Sequence, residues 1–338
     1  MNSTGESTSH ELDVTSVTIY ALLGSLGILG NGLVLVVMTT VKELRTTTNS
    51  FIVNQSIIDL VTSILLFLMF IAPPLPLPES EPVAKLICAV WNSKYIFWGM
   101  SIASTFNLIL LTLERYFAVV FPVVYHVHFS NRRVPFLAAL PWLVGLVFQI
   151  YWAVANQYSD GQCIIKHTSR QSQIVVGILV FLLVYVIPMV IMAFAYISIA
   201  NALRQRVDRS VAASKRVQLA LTAKDTLKPR QVNHRERARI NVIKTLITVS
   251  VTFAICWAPN HIMYLCFNLS KGITWITGPV YDFTVYLAFF NMCINPFIYT
   301  FKYRRFREGL KTLFRLVRGS ESSSSITTVQ MSNDVIRI

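Results

Sequence analysis

Residues Ser50–Ile71 read SFIVNQSIIDLVTSILLFLMFI, and this stretch decides the fold. Asp59 is its only charge, and at about 1.5 Å of rise per residue a helix of this length crosses a hydrocarbon core about 30 Å thick. A membrane strand needs only about ten residues and alternates strictly between apolar and polar, which this run does not. A helix also satisfies every backbone group internally, so a transmembrane helix is predicted. Working outward, six more segments of the same character are predicted at Val17–Thr40, Leu86–Val120, Pro135–Ala155, Ile174–Leu203, Ile240–Phe267 and Gly278–Phe301. The expected fold class is an all-α membrane protein, a seven-transmembrane helix bundle with a short amphipathic eighth helix.

Composition agrees with hydrocarbon as the main solvent. Of 338 residues, 54% are apolar and 14% charged, against about 25% charged in ordinary globular chains. Mean hydropathy is +0.55. The formal net charge of +14 raises the question of nucleic acid, and the distribution of charge answers it. Connections on one side of the predicted spans hold 22 Lys and Arg, those on the other side only Lys85, Lys166, Arg170 and Lys271. By the positive-inside rule the amino terminus is expected outside and the carboxyl terminus in the cytoplasm, at the plasma membrane, with no nucleic-acid partner.

The organisation expected is an extracellular tail over residues 1–16, the bundle over 17–301, an amphipathic cytoplasmic helix over 302–316 and a disordered tail over 317–338. The first helix is expected to serve as its own insertion signal, because residues 1–16 are polar. Asn2-Ser3-Thr4 fits the N-glycosylation pattern and marks Asn2; Asn268-Leu269-Ser270 fits it too but hugs a helix end. Cys88 and Cys163 are the only cysteines expected at the oxidising outer face, so a disulfide between them is expected, two free thiols being the alternative. Cys256, Cys266 and Cys293 lie within spans, where a thiol behaves as a small apolar group.

Ionisable groups at membrane depth are expensive and mark function. Asp59 lies on the order of 14 Å into its helix by the helical rise. With no Lys or Arg in its own span, it must find partners on other helices, and Asn31, Ser104, Asn291 and Asn295 are the polar residues on offer. Carboxylate, hydroxyl and amide oxygens suit a small hard cation or a water cluster. A protonated Asp59 in a purely structural network is the alternative. Glu114-Arg115-Tyr116 stands at the cytoplasmic end of the third span, where alone it would be a local ion pair. Prolines interrupt three spans: Pro188 with Tyr196 in the fifth, Cys256-Trp257-Ala258-Pro259 in the sixth, and Asn295-Pro296-Phe297-Ile298-Tyr299 in the seventh. Each removes a helix hydrogen bond, and loosened helices are what a two-state switch requires.

Taken in order, these residues resemble a rhodopsin-like (class A) G-protein-coupled receptor, of the peptide-receptor-like orphan kind, from about Val17 to Phe314. The matching residues are Gly30-Asn31, Asn54, Asp59, Cys88, Glu114-Arg115-Tyr116, Trp142, Cys163, Pro188, Tyr196, Phe253, Cys256-Trp257-Ala258-Pro259 and Asn295-Pro296 with Tyr299. The resemblance implies a receptor rather than an enzyme. It implies that Glu114 holds Arg115 at rest, that Arg115 turns toward Tyr196 and Tyr299 when the sixth helix swings outward, and that a heterotrimeric G protein enters the opened cavity. Trp257, above Phe253 and beside Pro259, would be the lever beneath the ligand. Asp59, Ser104, Asn291 and Asn295 match the family's sodium pocket, so the only cofactor implied is a sodium ion acting as an allosteric modulator.

Departures from the pattern matter too. Arg239 stands where many members carry an acid at the inner end of the sixth helix, with Glu236 nearly a turn earlier, so a weak resting lock and measurable basal signalling are expected. Cys88 to Arg115 is two residues longer than the common spacing, which implies a re-registered outer turn of the third helix, and the usual proline some nine residues after Trp142 is missing. The seventh span has no lysine for a retinal Schiff base, Phe289 standing at that site, and Phe97 replaces the acid of aminergic receptors. What remains at the outer mouth is aromatic with a few charges: Trp91, Lys94, Tyr95, Phe97, Trp98, Tyr264, Asp282, Tyr286 and Phe290. This suits an extracellular peptide such as a neuropeptide; a lipid ligand is the alternative, and interface or core packing is the alternative for each aromatic.

The segment after Phe301 sets Phe306, Leu310, Leu313 and Phe314 against Lys302, Arg304, Arg305, Arg307, Lys311 and Arg315, an amphipathic pattern suited to anionic membrane lipid. Ser320, Ser322–Ser325, Thr327 and Thr328 are candidate phosphorylation sites for arrestin, and Ile336-Arg337-Ile338 a candidate PDZ ligand, an ordinary tail being the alternative. A transporter or channel would favour several deep charges and an internal repeat; only Asp59 is deep and no repeat is visible. Neither a His-Glu-x-x-His motif nor a pair of membrane aspartates is present to suggest a protease.

Overall fold

The computed structural model describes residues 14–130, 132–166, 169–220, 234–270, 278–316 and 318, with backbone alone over 207–220 and 234–239. Asn2, the serine cluster and the carboxyl-terminal tripeptide lie outside the described residues, as do the side chains of Glu236 and Arg239.

Among the described residues, seven helical spans are long and apolar enough to cross a membrane: Val14–Thr40, Thr47–Ile71, Glu81–Val120, Val134–Ala155, Arg170–Arg206, Ile240–Leu269 and Pro279–Lys302. They match the expected seven with ends shifted by a few residues, except that the third starts earlier and the fifth is longer at both ends. The helices are α1 (Val14–Thr40), α2 (Thr47–Leu66), α3 (Glu81–Leu86), α4 (Tyr95–Val120), α5 (Pro122–His128), α6 (Val134–Phe148), α7 (Ile150–Ala155), α8 (Arg170–Val180), α9 (Ile187–Ala220), α10 (His234–Leu269) and α11 (Pro279–Lys302). A further helix covers residues 304–316. The third span is the most buried and the fifth the least, so the third is the central post: α4 packs on α2, α6 and α9, while α1 joins α2 to α11 and α11 joins α10. Large apolar side chains such as Leu29, Phe136, Val190, Phe194, Ile255 and Phe283 point outward, as a lipid solvent allows and water does not.

Among the described residues, π-helical turns at Phe67–Ile71, Ile87–Asn92 and Phe181–Val186 interrupt the second, third and fifth spans, all toward the disulfide end of the bundle. The longer interval from Cys88 to Arg115 is taken up here. The third helix runs through a π turn and then breaks at Lys94, which is left-handed at φ 54°, before α4 starts afresh. The π turn in the fifth span sits directly before Pro188, whose missing N–H leaves the preceding turn one hydrogen bond short. In the fourth span, helix geometry lapses at Gln149 between α6 and α7.

Between the fourth and fifth spans runs an antiparallel hairpin, β1 (Asn156–Ser159) and β2 (Gln162–Ile165), with Tyr158 opposite Cys163. Its two-residue turn is Asp160-Gly161, both at positive φ, as a type I′ turn requires. Cys163 bonds to Cys88 with their Cα atoms 5.3 Å apart, tying the hairpin across the third span.

The last helix lies against the first. Tyr303 and Phe306 are buried and Leu310 and Leu313 half-buried, while Lys302, Arg304, Arg305, Arg307, Lys311 and Arg315 stay exposed. Gly309 permits a close approach, since a Cβ there would meet Val37 Cγ1 of α1 at 3.2 Å and Leu44 Cδ1, in the turn after α1, at 2.6 Å. Phe314 is exposed rather than packed.

Candidate functional site

Three clusters stack along the bundle interior. The deepest is built on Asp59, which is 1% exposed. Its Oδ1 accepts from Gln55 Nε2 at 3.0 Å and Ser104 Oγ at 3.1 Å, and its Oδ2 from Asn295 Nδ2 at 2.9 Å. The seventh-span asparagine reaches a second-span carboxylate because Pro296 packs on Gly30, where a Cβ would lie 2.9 Å from Pro296 Cγ. Asn31 Nδ2 ties the first span to the seventh through the Met292 carbonyl, 2.9 Å away. Among the described residues, Asn31 Oδ1, Asn291 Oδ1, Asn295 Oδ1 and Tyr299 Oη are buried without a hydrogen-bond partner. Buried orphan oxygens are costly unless something fills them. One carboxylate beside neutral oxygens from α4 and α11 suits a small monovalent cation better than a divalent one, which wants more carboxylates. The residues present therefore fit a sodium ion.

The second cluster closes the opposite end from the disulfide. Glu114 is fully buried and paired with Arg115, whose Nε and Nη2 both donate to it. Tyr125 Oη adds a hydrogen bond to Glu114 Oε1 at 3.0 Å and Thr48 Oγ1 one at 3.3 Å. Burial first, and the neighbouring Glu114 carboxylate second, hold the Tyr125 phenol above its usual pKa, so it remains a donor at neutral pH. Tyr116 packs among Phe117, Phe121 and Phe194. Tyr196 hydrogen-bonds Thr112 Oγ1 at 3.1 Å and Ser250 Oγ at 3.2 Å, bridging the third and sixth spans. Beside the pair, Arg45, Thr46–Thr48, Arg115, Tyr125, Tyr303 and Arg305 help line a cavity of about 660 Å³. Asn241 of α10 fastens the sixth span to the end of the seventh: its Nδ2 donates to Lys302 O at 2.8 Å and its Oδ1 accepts from Arg304 N–H at 2.9 Å.

The third cluster lies below the disulfide. Trp257 is buried, with Phe253 at 6.4 Å and His261 at 5.3 Å between ring centroids. Tyr185 of the fifth span edges His261 at 5.2 Å and donates to Ala254 O at 3.1 Å, the carbonyl one turn before Pro259. Phe97, fully buried, meets Phe70 at 4.9 Å and Phe289 at 5.0 Å, and Trp98 and Tyr20 edge the same group. Lys94 Nζ sits 4.3 Å above the Phe70 ring, a cation over an aromatic face. Tyr286 Oη bonds Ser16 Oγ at 2.7 Å, and Asp282 is half-buried a turn before it. Not every expected mouth residue points inward. Tyr95 Oη donates to Leu146 O at 2.7 Å, facing the fourth span, whereas Tyr264 edges Trp152 of α7 with its hydroxyl buried. Phe290 continues an outward stripe with Phe283 and Phe297.

Several residues that build these clusters were not read as site residues from sequence: Gln55, Asn107, Thr48, Tyr125, Asn241, His261 and Phe70. Gln55 stands one helical turn before Asp59, and that spacing was the available signal. Asn268, the second sequon, is buried with its Nδ2 donating to Tyr264 O at 2.7 Å, so it presents no amide for a glycan.

Comparison with known proteins agrees with this architecture. The chain is 26% identical to a cholecystokinin receptor of Xenopus laevis over 88% of this chain and 76% of that one. It is 26% identical to galanin receptor 2b of Danio rerio over 97% and 83%, and 29% identical to the tachykinin-like peptides receptor 99D of Drosophila melanogaster over 85% and 54%. The family model described as 7 transmembrane receptor (rhodopsin family) matches residues 30–299, and the chain belongs to that family of multi-pass membrane receptors.

Proposed function

We propose that this receptor binds an extracellular peptide at the disulfide end and activates a heterotrimeric G protein at the Glu114–Arg115 end. The peptide reading rests on relatives whose names are those of cholecystokinin, galanin and tachykinin-like peptide receptors, and on the aromatic, sparsely charged cluster around Phe70, Phe97 and Lys94. The basic connections support a reading with the amino terminus outside.

The observation that carries the coupling reading is the closed inner end. Arg115 is held by a buried Glu114, Tyr196 is held between Thr112 and Ser250, and Tyr299 is buried with its hydroxyl unpaired. Outward movement of α10 breaks the Tyr196–Ser250 contact and the Asn241 clamp, and frees Arg115 to meet Tyr196 and Tyr299. Trp257, packed between Phe253 and His261 near the Pro259 interruption, passes ligand contact to that hinge. An agonist acts only as far as it prefers the open form. Asp59, Ser104, Asn291 and Asn295 would hold a sodium ion, whose charge offsets the Asp59 carboxylate in the closed bundle.

Arg115→Ala tests the coupling. G-protein dissociation in reporter cells should vanish while surface display stays near wild type; full signalling by the variant would reject the assignment. Screening a peptide library against the same reporters identifies the ligand.

A further inference from the structure

A directed chain of hydrogen bonds ends on Asp59. Trp142 Nε1 can only donate, and it does so to Asn54 Oδ1 at 3.0 Å. That contact turns the Asn54 amide so that its Nδ2 faces Asn107 Oδ1 at 2.8 Å. Asn107 Nδ2 in turn donates to Gln55 Oε1 at 2.8 Å. Gln55 therefore has one orientation left, with Nε2 toward Asp59 Oδ1 at 3.0 Å and Ser104 Oγ at 2.5 Å. Trp142 is half-buried, and from Asn54 through Asn107 and Gln55 to Asp59 and Ser104 every residue of the path is buried, Asn107 and Gln55 fully so.

The consequence concerns lone pairs. A carboxylate oxygen offers two, and those of Asp59 Oδ1 are taken by Gln55 and by Ser104. Ser104 Oγ, which a cation would also need, accepts from the same Gln55 nitrogen. Among the described residues, the Oδ1 oxygens of Asn291 and Asn295 on α11 are buried without a hydrogen-bond partner. We propose that Gln55 is an internal competitor for the cation at Asp59: its amide N–H group takes the place of positive charge on Oδ1 of the carboxylate, and sodium reaches that oxygen only when Gln55 withdraws. This rests on the ion-pocket reading above.

Competition of this kind lowers the apparent affinity by the fraction of molecules in which Gln55 has let go. It also couples the pocket to the third and fourth spans, because withdrawal of Gln55 removes one of the two acceptors of Asn107 Nδ2, leaving the Phe51 carbonyl at 3.1 Å.

The test reads thermal unfolding of the purified full-length receptor, titrated with NaCl against choline chloride at constant ionic strength. A thiol-reactive dye reports unfolding through the buried free cysteines Cys256 and Cys293. A ligand of the folded state alone raises the melting temperature with its concentration. Gln55→Leu should move the sodium midpoint about tenfold lower than wild type, the scale of one hydrogen bond to a charged group. Gln55→Met, which keeps side-chain length without the amide, should do the same and stands in if the leucine variant fails to fold. Asp59→Asn should abolish the sodium response. A midpoint unchanged or raised in the Gln55 variants, with the response still lost in Asp59→Asn, overturns the competitor role and leaves the pocket standing. No sodium response in any form of the receptor overturns both.

Discussion

Tyr125 Oη donates to Glu114 Oε1 at 3.0 Å, on the oxygen that Thr48 also approaches. Glu114 is thus gripped by a second-span hydroxyl, the helix following the third span and its neighbour Arg115. A hydrogen bond to a buried charge contributes on the order of 1–2 kcal/mol, enough to matter in an equilibrium between closed and open forms. Tyr125→Phe deletes the donor while keeping the ring stacked on Phe129. Agonist-independent signalling at matched surface expression should rise about three- to tenfold; basal output equal to wild type would dismiss the clamp.

Asn241 is a second fastening at the same end, between α10 and the junction of the seventh span with the last helix. The resemblance implies an acid for the arginine where this chain has Arg239, and under the proposed coupling the Asn241 amide is a fastening that holds this end closed. Asn241→Ala should raise basal signalling by about two- to fivefold, the reach of an exposed pair of hydrogen bonds. Asn241→Asp keeps the acceptor for Arg304 N–H and loses the donor to Lys302 O, so an intermediate rise is expected. Bioluminescence energy transfer between G-protein subunits measures both, and equal output from the two variants would argue against a two-bond clamp.

The spans were legible because burial in lipid leaves a signal in any apolar run of sufficient length, and Ser50–Ile71 alone was enough to set the class. Asp59 and Glu114-Arg115 were legible because charge is scarce at depth. The hairpin was missed, although Asp160-Gly161 between Tyr158 and Cys163 carried a turn signature; its strands are too short to show alternation. Gln55, Asn107 and Asn241 were missed for a different reason. Their roles depend on which neighbour each amide faces, and that is decided by packing between helices distant in sequence. Phe290 and Tyr95 show the converse, since depth in a span is readable while the face a side chain takes around the helix needs the bundle.

Close approach of the third and fourth spans depends on Gly145. A Cβ added there would lie 2.1 Å from the Gly99 carbonyl oxygen and 2.9 Å from Ala103 N, and a backbone atom cannot step aside as a side chain can. Small residues are what permit such contact between membrane helices. Gly145→Ala should lower the melting temperature by about 5 °C or more, an overpacking cost of about 1–3 kcal/mol. Gly32→Ala is the control, because nothing lies within 4 Å of its added methyl. Equal melting temperatures for the two variants would show that the helices part at no cost.

The hairpin and its disulfide form a lid anchor whose parts fail to different degrees. The Cys88–Cys163 bond closes a loop with a sequence separation of 75, for which the chain-entropy relation gives at most about 4.5 kcal/mol, less in a bilayer that already restrains the unfolded chain. Cys163→Ser should therefore cut surface display strongly and lower the melting temperature of what remains. Gly161 sits at φ 79°, where an added Cβ meets no neighbour but strains the backbone, so Gly161→Ala should cost about 1 kcal/mol with the disulfide intact. Flow cytometry of an amino-terminal tag on unpermeabilised cells ranks the two, and reads the outside placement of that terminus in the same measurement. The expected order is wild type, then Gly161→Ala, then Cys163→Ser; a cysteine variant displayed as well as wild type would mean that the hairpin holds its place without the bond.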